Sequence, residues 1–282
     1  MPTFLAPDGT ELSYSVQGEG SPLVCVPGGP MRASAYLGNL GGLSGSRQLI
    51  MLDLRGTGRS AVPADPASYR CDHLTDDVGA LLDHLGVGRA DLLAHSAGAN
   101  IAVQYAGRHP QRISKLILIA PSARAAGLAP DQAARRAVAE LRRGEPWFAA
   151  AAAAWERIAT GTATDGDWSA IAPFYYGRWD AAAQAHDAAG ETQVNEEAAN
   201  VFGADGAFDP PALRADLAEF HAPVFVLAGG VDLQWPSAVV GELARLFPIA
   251  RFVVQPDAGH YPWLDDSSWF VRAVTAFLDG QV

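Results

Sequence analysis

The sequence of 282 residues predicts an α/β protein: a mostly parallel, doubly wound sheet with helices on both faces and an inserted helical cap. Three observations point there. Short continuous apolar runs recur at 23–26, 48–54, 90–94 and 115–119, as expected of strands buried on both faces. Amphipathic stretches separate the later runs, and the alternation returns near the C-terminus. Between about 124 and 208 the chain is instead Ala-rich, with scattered Trp, Phe and Tyr and no strand-like run.

The elements follow in order. Residues 4–16 read as a hairpin around Pro7-Asp8-Gly9. Leu74, Val78, Leu81, Leu82 and Leu85 recur at spacings of three and four, which predicts a helix over 72–85. A second helix spans 97–108 and ends at His109-Pro110. The middle stretch reads as helices over 131–143, 146–159 and 178–189. Strands at 223–228 and 251–254 and helices at 237–246 and Ser267–Leu278 then resume the first rhythm. The resulting division places a core in 1–123 and 209–282 and the cap in 124–208. An insertion there would cover the crevice at the strand C-terminal ends, where such sheets bind ligands.

Composition narrows the function. A formal charge of −11 argues against a nucleic-acid partner. Basic residues are nearly all Arg, with Lys115 the single lysine, which reflects compositional bias. Cys25 and Cys71 lie outside any C-x-x-C spacing and read as free thiols in a reducing compartment. No apolar stretch approaches the roughly 20 residues of a membrane span, and the N-terminus lacks a basic region followed by an apolar core. The expectation is a soluble cytoplasmic protein without membrane contact. No His, Cys, Asp or Glu cluster has metal spacing. Gly56-Thr-Gly58-Arg-Ser-Ala61 formally fits a dinucleotide fingerprint, but the Pro-rich 62–66 segment cannot open the helix such a site needs. The segment reads as a turn after the 48–54 strand, with Arg55 paired to Asp53. No cofactor is expected.

The chemistry centres on Ala94-His95-Ser96-Ala97-Gly98, between a predicted strand and a predicted helix. A strained turn in that context lifts a Ser hydroxyl above a sheet. The bare pattern arises readily by chance, and its placement gives it weight. A nucleophilic Ser needs a base, and the base needs an orienting acid. Of seven histidines only His260 lies beyond the 223–228 strand, whose end supplies Asp232. Asp257, Asp265 and Asp266 are poorer acids, because nothing places them at a strand end beside His260. The expected triad is Ser96, His260 and Asp232. Oxyanion donors are expected from the backbone N–H groups of Ala97 and Gly29, with Gly28 beside the substrate. Trp147, Trp155, Phe174 and Tyr175 in the cap predict an aromatic-lined, largely apolar pocket for a small molecule. The bland alternative is that these rings pack the cap helices together.

These residues together resemble the α/β-hydrolase family, most closely its proline-iminopeptidase-like branch. The likeness covers about 1–122 and 205–280 and includes Gly28-Gly29-Pro30, Tyr36-Leu37, the 53–60 segment, the Ser96 turn, Asp232 and Gly259-His260. It implies a cofactor-free serine hydrolase with a helical cap. Pro27 and Met31 depart from the His-Gly-Gly-Pro-Gly pattern of that branch, and Ala97-Gly98-Ala99 lacks its Trp. The branch holds a substrate amine with cap glutamates; Glu156, Glu191, Glu196 and Glu197 are candidates outside any aligned motif, and solvated helix faces explain each of them as well. Four functions therefore stay open: hydrolysis of an ester, lactone or amide through acyl-Ser96; iminopeptidase-like aminopeptidase action; biosynthetic C–C hydrolysis, acyl transfer or cyclisation; and ligand binding without turnover. Oligomeric state is not legible.

Overall fold

In the computed structural model, which describes residues 1–281, the apolar runs assemble into one eight-stranded sheet. The strands are β1 (Thr3–Leu5), β2 (Glu11–Gln17), β3 (Pro22–Val26), β4 (Gln48–Leu52), β5 (Ala90–His95), β6 (Ile113–Ile119), β7 (Val224–Gly229) and β8 (Ala250–Gln255). Their spatial order is β1-β2-β4-β3-β5-β6-β7-β8. β1 and β2 form the N-terminal hairpin and β2 pairs antiparallel with β4. From β4 to β8 every pair is parallel.

Parallel strands covered on both faces must be apolar on both faces, and successive residues serve opposite sides. Val24, Val26, Leu92, Leu116, Leu118, Val224 and Val226 enter one core cluster, with the helices α1 (Cys71–His84), α2 (Gly98–Arg108), α8 (Pro210–Ala218) and α9 (Ser237–Ala244) supplying its other wall. Leu23, Cys25, Leu93, Ile117, Ile119, Phe225 and Leu227 enter a second, closed by α10 (Pro262–Asp265), α11 (Ser267–Leu278) and the short turns around Leu37 and Leu43. Cys25 is fully buried and free, and burial pushes its thiol far up from the ordinary range. It packs as an unreactive small hydrophobe.

Between β6 and β7 the chain forms α3 (Gln132–Glu140), α4 (Phe148–Ala159), α5 (Asp165–Ala170), α6 (Ala181–Ala188) and α7 (Glu196–Phe202) before α8. Asp131, Asp180 and Asn195 cap three of them by accepting backbone N–H bonds, and Thr164 with Asp167 forms a capping box on a fourth. Ala139, Ala151, Ala154, Trp155, Ile171 and Phe174 form a small core of their own with Leu233. Ala198, Phe202 and Ala207 instead join the first sheet cluster. The insertion is thus anchored at its C-terminal end to the body that it covers.

The expected pairing of Arg55 with Asp53 does not form. Arg55 donates to Asp77 (2.9 Å from Nε) and to Asp8 (2.6 Å), bracing the hairpin turn against α1. Asp53 accepts from the Ser34 N–H (2.9 Å), the Ser34 hydroxyl (2.7 Å) and the Arg59 N–H (3.1 Å). The reason is directional: Asp53 faces the Ser34 turn after β3 and the Arg59 turn after β4, whose N–H donors outcompete a guanidinium two residues along. No helix among the described residues is long and apolar enough to cross a membrane.

Candidate active site

The site forms at the C-terminal ends of β3, β5, β7 and β8, where each strand hands over to a loop. β5 ends at His95, and Ser96 follows with φ of 52°, a left-handed conformation that costs a non-glycine residue about 1–3 kcal/mol. The surroundings impose it. The Ser96 N–H donates to the Ile119 carbonyl (3.0 Å), while the Ser96 carbonyl accepts from Ala99 and Ser122. Small residues make the turn possible. A Cβ built on Gly98 would lie 2.3 Å from the Pro27 carbonyl oxygen, and one on Gly28 would lie 2.7 Å from the His95 oxygen. The loop after β3 can therefore lie directly on the Ser96 turn.

Three distant side chains meet above it. The Ser96 Oγ lies 2.8 Å from His260 Nε2, and His260 Nδ1 lies 2.8 Å from Asp232 Oδ2. Asp232 Oδ1 accepts from the N–H groups of Gln234 (2.8 Å) and Trp235 (3.2 Å). A carboxylate can only accept, so Nδ1 carries the proton and Nε2 is left to accept from the Ser96 hydroxyl. Ser96 is 5% exposed, His260 2% and Asp232 not at all, so this hydrogen-bonded line is largely screened from water.

Gly29 and Ala97 line the adjoining cavity, and neither backbone N–H donates to a protein acceptor among the described residues. That cavity is about 440 Å³. Its walls include Trp155, Ile158, Trp168, Ile171, Tyr175, Phe202, Phe208, Leu233 and Trp235 from the cap and the β7 loop. Of the residues expected to line a pocket, Trp155 and Tyr175 do so. Trp147 and Phe174 do not: their rings meet edge to face at 5.0 Å and pack the cap helices together. Gly28 does not either, because it lies beneath the Ser96 turn, donating its N–H to the Tyr36 hydroxyl at 2.7 Å. Asp265 is not behind His260. It accepts from the Gly259 (2.8 Å) and Gly177 (2.9 Å) N–H groups, tying the His260 loop to the cap, and burial pushes its carboxyl up. Among the described residues no group of three or more His, Cys, Asp or Glu is placed to hold a metal ion.

Sequence reasoning missed a second polar line beneath the first. Tyr36 Oη, accepting from Gly28, donates to His95 Nδ1 (2.7 Å), and His95 Nε2–H donates to the His260 carbonyl (2.8 Å). Burial, with the His260 ring beside it, pushes His95 well below the usual histidine range, so this imidazole is neutral. The line connects the Gly28-Gly29 loop to the backbone of His260. Arg32 adds a clamp: it donates to Gln193 (2.9 Å) and to the His186 carbonyl (3.0 Å), with its guanidinium 4.6 Å from the centre of the Tyr36 ring. His95 and Tyr36 were visible as neighbours of recognised motifs. Arg32 gave no signal, because its partners lie some 160 positions away, an interval no local pattern encodes.

The sequence profile described as alpha/beta hydrolase fold matches residues 21–267. The chain belongs to the alpha/beta hydrolase fold family. The proline iminopeptidase of Mycobacterium smegmatis superposes on this hydrolase-fold chain with a TM-score of 0.76 at 25% identity, covering 99% of this chain and 98% of that one. The enol-lactonase of Burkholderia xenovorans LB400 gives 0.69 at 25% identity, covering 99% and 100%. A cis-3-alkyl-4-alkyloxetan-2-one decarboxylase of Shewanella oneidensis is 36% identical over 118 residues, 41% of this chain and 37% of that protein. The chain thus matches only 26% to 37% of the length of the first curated relatives.

Proposed function

We propose that this hydrolase-fold protein is a serine hydrolase that cleaves an ester or lactone of a small molecule through an acyl-Ser96 intermediate. The observation carrying the proposal is the continuous line Ser96–His260–Asp232, with 2.8 Å at each step, beside two unpaired N–H donors. Ser96 Oγ attacks the carbonyl carbon as His260 Nε2 takes its proton. Asp232 holds the imidazole in the accepting tautomer and stabilises the imidazolium. The Gly29 and Ala97 N–H groups donate to the oxyanion as charge develops, each worth about 10²–10³ in rate. His260 returns the proton to the departing alkoxide, and water then releases the acid by the same path.

The aminopeptidase reading is less well supported. It requires carboxylates around a substrate amine, and no Asp or Glu lines the cavity among the described residues. Glu156 is half-exposed and paired with Arg136 (2.9 Å), while Glu191, Glu196 and Glu197 are exposed. The test is steady-state hydrolysis of p-nitrophenyl esters, γ- and δ-lactones and a proline p-nitroanilide. Esters or lactones should exceed the proline amide by at least about 100-fold in kcat/KM, the equivalent of losing one paired charge in a buried site. Preference for the proline amide would reinstate the peptidase, and no turnover of any substrate would favour the binding protein.

A further inference from the structure

The cavity beside Ser96 has an electrostatic character that its aromatic walls conceal. Its only charged lining side chains among the described residues are Arg124 and Arg135. Neither forms a protein ion pair or side-chain hydrogen bond among those residues, although the chain has carboxylates in excess and a formal charge of −11. The contrast with the next residue on α3 is direct. Arg136 turns outward and is bonded through two nitrogens to Glu156, at 2.9 Å each, whereas Arg135 turns inward to the cavity and has no such partner. Burial pushes the Arg135 guanidinium down from its ordinary value, and repulsion from Arg124 acts in the same direction. Two unpaired guanidinium groups bordering one cavity, Arg135 half-buried and Arg124 exposed, in a protein whose overall field repels anions, form a site complementary to an anion.

We propose that the substrate carries a carboxylate in addition to its scissile carbonyl, and that Arg124 and Arg135 hold that carboxylate while the carbonyl lies at Ser96. The proposal rests on the acyl-Ser96 reading for the position of the carbonyl, but the anion subsite itself does not need turnover. Guanidinium groups suit a planar carboxylate because their N–H donors match its two oxygens. The apolar walls then accommodate the chain between the two ends, and a volume of about 440 Å³ limits that chain to a small molecule. The subsite makes the substrate amphiphilic, where the cap aromatics alone pointed to a largely apolar one.

The test compares pairs of equal carbon number in which a carboxylate replaces a terminal methyl group. Monomethyl adipate against methyl hexanoate places it on the acyl side, and 4-acetoxybutyrate against butyl acetate places it on the alcohol side. At least one anionic member should be preferred by about tenfold or more in kcat/KM, as expected for one charge-assisted contact. Arg124→Gln and Arg135→Gln should each shrink that ratio, Arg135→Glu should invert it, and Arg135→Lys should retain part of it. Calorimetric binding of the same pairs to Ser96→Ala supplies a readout independent of turnover. Equal binding and equal kcat/KM within both pairs would overturn the subsite while leaving the hydrolase intact. Arginine-dependent binding of the anionic members to a chain that turns over none of the four would support the subsite and overturn the hydrolase instead.

Discussion

Ser96→Ala should lower kcat by about 10⁴- to 10⁶-fold, because the residual rate rests on the oxyanion donors and binding alone. The fold should survive. Alanine retains the Cβ, so the backbone strain at φ of 52° is unchanged, and the substitution loses only the 2.8 Å hydrogen bond to His260. One such bond contributes about 0.5–1.5 kcal/mol, and the lost hydroxyl borders the cavity rather than the packed core. Thermal unfolding and steady-state hydrolysis of an ester substrate measure the two halves together. A near-native Tm with kcat reduced by less than about tenfold would remove Ser96 from the chemistry.

The second large effect concerns a single proton. In Asp232→Asn the side-chain oxygen must remain where Oδ1 now accepts from the Gln234 and Trp235 N–H groups, at 2.8 and 3.2 Å. The new amide NH₂ then occupies the Oδ2 position and points at His260 Nδ1. Two donors cannot share that contact, so the imidazole turns to the opposite tautomer and Nε2 carries the proton. The base is then unable to accept from Ser96. A loss of about 10⁴ in kcat is expected, with KM little changed, following the pattern known for this kind of triad. A loss below about tenfold would point to another acid, although Asp265 is already committed to the Gly259 and Gly177 N–H groups.

Fold and site were legible in the sequence at different ranges. The strands at β3, β5, β6 and β7 could be read because burial on both faces writes a continuous apolar run. Ser96, Asp232 and His260 could be singled out because each falls where a strand gives way to a loop, and a parallel sheet brings such ends to one edge. The pocket was less readable. Trp147 and Phe174 have the composition of a lining but the geometry of a core, since whether such a ring faces inward or toward its neighbour depends on how the start of α4 packs against the turn that follows α5. Arg55 chose Asp77 and Asp8 over the nearby Asp53 for the same reason: orientation outweighed proximity along the chain. Arg124 and Arg135 were two among many arginines until the fold aimed them at one cavity.

A fluorophosphonate probe offers the most direct single measurement, because it phosphonylates only a serine that a neighbouring base has activated. Incubation with the intact protein followed by peptide mass spectrometry should place one adduct per chain on Ser96, with labelling lost in His260→Ala. An unlabelled Ser96, an adduct on some other residue, or labelling that persists at full rate without His260 would contradict the account.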